Sequence, residues 1–342
     1  MSAPATTRPR LAVLLGDAAG VGPEMAVKLL AREANLQAAD VLLIADPAVL
    51  HSGQDIAGHT LDVTEVHSLV DVSFQPGRIT LWSDDVLAGS MPPLRESGER
   101  AGRAAMRSLE LAVAAVVAGV VDGIVFAPLN KHSLRLGGLD HEDELRHLQH
   151  ALGVGDFVCE FNITQGLWTS RVTSHVPLRE VAELIDEPGI ANAVHLIDDA
   201  LRRAGVARPR IAVSGLNPHA GDGGSIGLEE IEVIAPAVKN LQAQGLAVSG
   251  PYSPDTVFIA ARRGDFDAVV SMYHDQGQIA MKLMGFDHGV TLHGGLPVPV
   301  VTSASGSAFD IAGQGIANVE GLQSAFDLAV RLASAGRSRT LR

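Results

Sequence analysis

Three histidines of this chain stand where apolar runs give way to polar, glycine-rich sequence: His175 in "TSHVPL", His219 in "GLNPHAGDGG" and His274 in "MYHDQG". A neutral imidazole is the commonest protein ligand for a divalent metal, and such a site needs about three ligands converging from separate segments. Intervals of 44 and 55 residues exclude a local pattern of the HExxH kind. On spacing alone, each histidine is as readily a solvated loop or helix-capping residue as a ligand. Their common position after an apolar run leaves both readings open.

Other segments carry chemistry of different kinds. "GDAAGVGPE" (residues 16–24) fits neither GxGxxG nor the phosphate-binding loop with its lysine, but suits a tight turn presenting backbone N–H groups at a helix start. "SGSAFDIAGQGIAN" (residues 305–318) sets Gly306, Gly313 and Gly315 around Asp310, either as a structural loop before a helix or as a ligand-binding one. Lys131, in "APLNKH", is either a polar support or a solvated helix start. Cys159 is the only cysteine, so no internal disulfide forms and a reducing compartment is expected. Its neighbours Val158 and Phe161 mark it as a small core residue.

These segments need elements to position them. "RLAVLLGD" reads as a buried strand ending in a glycine turn, followed by a helix over "GPEMAVKLLAREA" with Pro23 and Glu24 in its first turn. "ADVLLIAD" and "DGIVFAPLNK" read as further strands, with the long "GERAGRAAMRSLELAVAAVVAG" helix between them. The alternation resumes with "PRIAVSGLNPHAG", a helix through "GLEEIEVIAPAVKNLQAQG", the strand of "FDAVVSMYHDQG" and a last helix over "SAFDLAVRLASAG". Near-continuous apolar strands between helices predict mostly parallel sheets covered on both faces. In such folds ligands bind beyond the carboxyl ends of the strands, where the polar segments fall.

At 342 residues the chain is long enough for two domains sharing a cleft. A formal net charge of −13 argues against nucleic acid and anionic membranes as partners. The longest apolar stretch, residues 111–121, stops at Asp122, far short of the ~20 residues of a membrane span. The N-terminal apolar run is too short for a secretory signal, and a cytoplasmic protein is expected.

"GDAAGVGPE", "APLNK", "SHVPL", "GLNPHAGDGG", "GPYSPDTVF", "MYHDQG" and "AGQGIA" resemble, in order and spacing, the 4-hydroxythreonine-4-phosphate dehydrogenase family over roughly residues 11–335. The 305–318 segment is also similar to the adenosine-binding loop of the isopropylmalate and isocitrate dehydrogenases. The resemblance implies two α/β/α domains with mostly parallel sheets and an interdomain cleft, isopropylmalate dehydrogenase-like and not a Rossmann fold. One domain would span residues 1–135 plus 270–342 and hold the nucleotide loop. The other would span 136–269 and form the interface of a homodimer. The implied reaction is oxidation by NAD or NADP of a secondary alcohol beside a carboxylate-bearing carbon of a small hydroxy acid, then decarboxylation. One divalent metal (zinc, magnesium, manganese or cobalt) would sit on His175, His219 and His274. Lys282, Asp275 and Lys131 would serve the chemistry, and Gly306, Asp310, Gly313, Gly315 and Asn318 the nucleotide.

The departures from the family pattern fall on substrate anchors. The family's "GHTE" is here "HEDE", which puts Glu142 and Asp143 at the substrate-facing positions. An ungapped match of "VNxTLGLPxxRTSVDHGTA" to "VTLHGGLPVPVVTSASGSA" replaces asparagine by Thr291, arginine by Val300 and an aspartate–histidine pair by Ala304 and Ser305. Loss of the arginine removes a bidentate anion clamp. A substrate without phosphate is therefore expected, such as the cyclic diol taken by relatives that oxidise terephthalate dihydrodiol. His288 and His293 are new polar groups of unassigned role. A non-catalytic binding protein would not keep both metal triad and nucleotide loop, and a phosphate acyltransferase of related architecture would need neither.

Overall fold

The computed structural model describes residues 8–285 and 287–340. Its strands are β1 (Arg10–Leu14), β2 (Asp40–Ala45), β3 (Val63–Val66), β4 (Ile79–Ser83), β5 (Gly123–Phe126) and β6 (Cys159–Thr164). These are followed by β7 (Leu167–Arg171), β8 (Ile211–Ser214), β9 (Val248–Tyr252), β10 (Ala268–Ser271), β11 (Val290–Gly294) and β12 (Val300–Ser303). The chain divides into two compact units, Met1–Gly155 with Leu296–Arg342, and Asp156–Gly295. These boundaries fall later than the expected 135/136 and 269/270. The reason is pairing: β11 pairs with β6, and helix His274–Gly285 packs on β6, β7 and β10, which keeps residues 270–295 in the second unit.

In the first unit the strand order is β3-β4-β2-β1-β5-β12, and every pairing is parallel. Leu11, Ala12, Val13, Val41, Leu42, Leu43, Ile124 and Val125 are all fully buried, so consecutive residues on both faces meet the core. This is why the strands read as unbroken apolar runs rather than alternating ones. The helix Gly22–Leu30 starts as expected, with Pro23 in its first turn and Glu24 behind it. Gly22 is required there: a Cβ would lie 2.4 Å from the Leu15 carbonyl oxygen.

In the second unit the order is β11-β6-β7-β10-β8-β9. β7, β10, β8 and β9 run parallel, while β6 and β11 add an antiparallel edge. β6 and β7 form a hairpin whose two loop residues, Gln165 and Gly166, both have positive φ (48° and 84°), the geometry a two-residue hairpin demands. The unit thus keeps its parallel strands central, and β7, β10 and β8 are immediate neighbours. Among the described residues no helix is long and apolar enough to cross a membrane.

Candidate active site

The three histidines follow these three neighbouring strands. His175 lies four residues beyond β7, His274 three beyond β10 and His219 five beyond β8. Their segments therefore leave one edge of one sheet side by side. The rings of His175 and His274 come within 5.9 Å, centroid to centroid. Two imidazoles on a tetrahedral zinc, with Zn–N of about 2.0–2.1 Å, have centroids about 5.3 Å apart. The pair is close enough for both rings to reach one ion, and imidazole donors would suit a borderline divalent metal. His274 Nδ1 lies 2.7 Å from Asp275 Oδ1. A proton on Nδ1, shared with the carboxylate, leaves Nε2 as the free lone pair, the usual way a carboxylate fixes a ligand's tautomer.

His219 is positioned by strain. Residues His219 to Gly223 have φ values of 54°, 52°, 79°, 44° and 67°, a full left-handed turn. Gly221 and Gly223 adopt this freely, but His219, Ala220 and Asp222 together cost roughly 3–6 kcal/mol. His175 also has positive φ, 21°. Strain of this kind concentrates at ligand sites and persists only where surrounding contacts over-determine it.

Glu230 supplies those contacts. Its carboxylate is 2% exposed and accepts the Leu216 and Asn217 amides on Oε1, both at 2.7 Å, and Asn217 Nδ2 on Oε2 at 2.9 Å. Gly221 packs so closely over it that a Cβ would fall 2.7 Å from Oε2. The Glu229 backbone amide, and then Asn217 Nδ2 donating to Glu229 Oε2 at 2.7 Å, hold the Glu229 pKa below the usual carboxylate range. Gln276 ties the same turn to the His274 helix by donating to the Gly215 carbonyl at 3.0 Å. Beside it, the Ser253 hydroxyl donates to Asp255 and lowers that pKa, with a smaller contribution from His219. Glu230 lies in a single π-helical turn, Glu230–Ile234, a feature that recurs at functional sites. The sequence reading took it for an ordinary helical residue.

A second network braces the other two histidines. Arg171, at the end of β7, is 5% exposed and pairs with Glu160 at 2.7 Å. It also donates to Ser174 Oγ at 2.8 Å, next to His175, and to Asn162 Oδ1 at 3.1 Å. Gln278, one turn along from His274, donates to the same Asn162 oxygen, and Asn162 Nδ2 donates to Thr291 Oγ1. Thr291 therefore stands in this network on β11. His293 is buried on the same strand, 4.0 Å from Glu160, and His288 is exposed. Lys282 is exposed two turns down the His274 helix, about 12 Å along its axis.

In the first unit, residues 306–318 form an anchored loop. Lys28 Nζ donates to the carbonyls of Gly315 and Ala317 at 2.9 and 3.1 Å, and pairs with Glu24 at 2.6 Å. Glu24 in turn accepts the Ala317 amide at 2.7 Å, and Arg95 Nε donates to the Ala312 carbonyl. Gly313 and Gly315 have φ of 79° and 75°, so the backbone itself calls for glycine there. Gly306, Asp310, Gly313, Gln314, Ile316 and Asn318 are exposed on this support. The loop thus presents a carboxylate, open glycine backbone and an apolar side chain on a hydrogen-bonded support. Lys131 is exposed at the start of helix Lys131–Leu136. Glu142 is exposed, whereas Asp143 is buried and caps helix Glu144–Ala151 by accepting the Arg146 amide. Val300 corrects the expectation that it lines a site: it is fully buried at the amino end of β12, in register with Ile124, and serves the core.

The model of the family described as "Pyridoxal phosphate biosynthetic protein PdxA" matches residues 37–329. A "Putative 4-hydroxythreonine-4-phosphate dehydrogenase 2" from Pseudomonas aeruginosa is 49% identical, over 97% of this chain and 98% of that protein. A D-threonate 4-phosphate dehydrogenase from Cupriavidus necator is 38% identical, over 95% and 98%. The crystal structure of 4-hydroxythreonine-4-phosphate dehydrogenase from Klebsiella pneumoniae is similar at TM-score 0.82 and 36% identity, covering 96% of this chain and 98% of that one. A terephthalate 1,2-cis-dihydrodiol dehydrogenase from Burkholderia xenovorans follows at TM-score 0.65 and 28% identity, covering 96% and 98%. Isocitrate dehydrogenase from Methylococcus capsulatus shares the fold, at TM-score 0.51 and 15% identity, covering 96% and 88%.

Proposed function

The chain belongs to the PdxA family of pyridoxal phosphate biosynthetic proteins, and from that premise we propose that it is a metal- and nicotinamide-dependent dehydrogenase of a small hydroxy acid. The observation that supports this best is the convergence of His175 and His274 from neighbouring parallel strands, beside the strained turn that carries His219. Three imidazoles with a carboxylate behind one of them suit zinc or cobalt better than magnesium, which prefers oxygen ligands. When bound, the ion supplies Lewis acidity at the substrate's alcohol oxygen.

The chain's own groups do the rest. Asp275 keeps His274 in its ligating tautomer, and Lys282 offers a cation to the substrate carboxylate. The loop 306–318, through Gly306, Asp310, Gly313, Gly315 and Asn318, receives the adenosine end of NAD or NADP. A nicotinamide held there would accept the hydride of the alcohol carbon, with the hydroxyl proton passing to water. The resulting carbonyl lies β to the carboxylate, so the carboxylate leaves as CO₂ and its bonding electrons remain on the α-carbon until a proton is taken up. Lys131 is proposed as a polar support, and a homodimer as the working assembly.

The names of the relatives suggest a four-carbon hydroxy acid 4-phosphate as substrate. One feature of the sequence favours a second reading. Glu142 and Ser305 stand where the family pattern has histidines. An added carboxylate and the loss of two imidazoles disfavour a phosphate dianion and suit a carboxylate substrate without phosphate. Steady-state kinetics with metal and either nicotinamide, on 4-hydroxythreonine 4-phosphate, D-threonate 4-phosphate, unphosphorylated 3-hydroxy acids and a cyclic cis-dihydrodiol, test both. Reduction of nicotinamide with one of these supports a dehydrogenase, and the preferred member identifies the substrate class. Failure with all of them under both cofactors contradicts the proposal.

A further inference from the structure

The first unit carries a second group of histidines that the proposed reaction does not use. His147 and His150 lie three residues apart on helix Glu144–Ala151, so they share a face. His141 precedes that helix, in the turn that Asp143 caps. The His141 ring centroid is 5.7 Å from that of His147 and 5.0 Å from that of His150. These two spacings lie near the roughly 5.3 Å expected for imidazoles sharing a tetrahedral zinc, while the three donor nitrogens do not all come within 4.8 Å of one another. His141 and His147 are half-buried and His150 is exposed.

We propose that His141, His147 and His150 form an accessory site for a borderline divalent metal such as zinc, nickel or cobalt. One further observation agrees with this. Glu110 and Asp140 lie close enough to act on His147 electrostatically, and they bring negative charge to a site with no carboxylate of its own. Closing the three nitrogens on one ion requires the rings to rotate about their side-chain torsions, most freely at the exposed His150. Three imidazoles and an open fourth position would exclude magnesium, which demands oxygen ligands. The ion would cross-link the turn bearing Glu142 to helix Glu144–Ala151.

The test is calorimetric titration of chelator-stripped full-length protein with zinc, comparing wild type, His147→Ala/His150→Ala, and His175→Ala. The wild type is expected to take up two equivalents per chain, and each variant one. Cobalt loading gives a second readout: the tetrahedral d–d absorption of His175→Ala should disappear when His150→Gln is added, a change at an exposed ring that leaves the fold intact. A His147→Ala/His150→Ala protein with the wild-type zinc stoichiometry would overturn the proposal. So would one equivalent in the wild type that only His175→Ala removes. Neither outcome touches the metal site of the second unit, whose failure would show instead as full zinc uptake by His175→Ala.

Discussion

Asp275 Oδ1 lies 2.7 Å from Nδ1 of His274, while the His274 ring faces His175 at 5.9 Å. With Nδ1 engaged by the carboxylate, Nε2 is the nitrogen that would hold a metal in the proposed site. Asp275→Asn keeps the shape but loses the charge that makes the ring a better donor. Metal affinity should fall about 10- to 100-fold, the usual effect of removing such a partner. Competition with a chromophoric chelator measures it. An unchanged affinity would mean that Asp275 does not act through His274.

Glu230 holds the left-handed turn of His219 by three hydrogen bonds from Leu216 and Asn217. Glu230→Gln replaces an acceptor oxygen by an NH₂ that cannot accept, so one end of the turn is released. Metal affinity should drop by at least tenfold, with KM for the organic substrate rising in parallel and KM for NAD(P) unmoved. Equal effects on both KM values would point to general destabilisation rather than a role in placing His219.

How much of this was visible in the sequence depends on the kind of contact. β1, β8, β10 and the helix Gly22–Leu30 were legible because burial on both faces leaves unbroken apolar runs, and Pro23 marks the helix start. β6 and β11 were not. They carry Glu160, Asn162, Thr291 and His293, whose partners come from other strands and cannot be read from local pattern. The strand-end histidines stood out because glycine and proline punctuate their segments. The approach of His175 to His274 depended on β7 and β10 being neighbours, which spacing does not encode. Glu230 was hidden for a similar reason: its partners precede it by thirteen and fourteen residues, across a turn whose handedness no periodicity announces. Val300 misled the reading because an alignment position carries no information about burial.

The loop 306–318 rests on Lys28, which bonds two of its carbonyls and Glu24. Lys28→Met removes the ammonium that makes both hydrogen bonds and leaves the buried Glu24 without its cation. KM for NAD(P) should rise about tenfold or more, with kcat at saturating cofactor nearly preserved. Gly313→Val, which forces a branched side chain into positive φ, should act in the same direction. A rise confined to the KM of the organic substrate would place the nucleotide elsewhere.

Asp17 follows β1, is 1% exposed and accepts the Ala19 amide at 2.8 Å. Burial raises its pKa above the ordinary 3.8, outweighing the lowering by the Ala19 amide and the Ser133 hydroxyl. The folded state therefore binds this proton more tightly than the unfolded one. Ionised Asp17 weakens the fold increasingly as pH rises from about 3.8 through the folded-state value. Asp17→Asn should raise Tm at pH 7 by about 2 °C, a gain that shrinks towards pH 4. Thermal melts of ligand-free protein across that range check both sign and window. A gain that persists unchanged at pH 4 would rule out the ionisation as its cause.

In the proposed mechanism hydride transfer depends on the histidines of the second unit. The most direct measurement follows nicotinamide reduction by chelator-stripped protein before and after adding back one equivalent of zinc, cobalt or manganese. Wild type and His219→Ala are compared on the preferred hydroxy acid. We expect no reduction without metal, recovery on add-back for wild type, and a loss of at least a thousandfold (about 4 kcal/mol of transition-state stabilisation) for His219→Ala at the same metal concentration. Undiminished turnover by His219→Ala, or by protein shown to be metal-free, would contradict it.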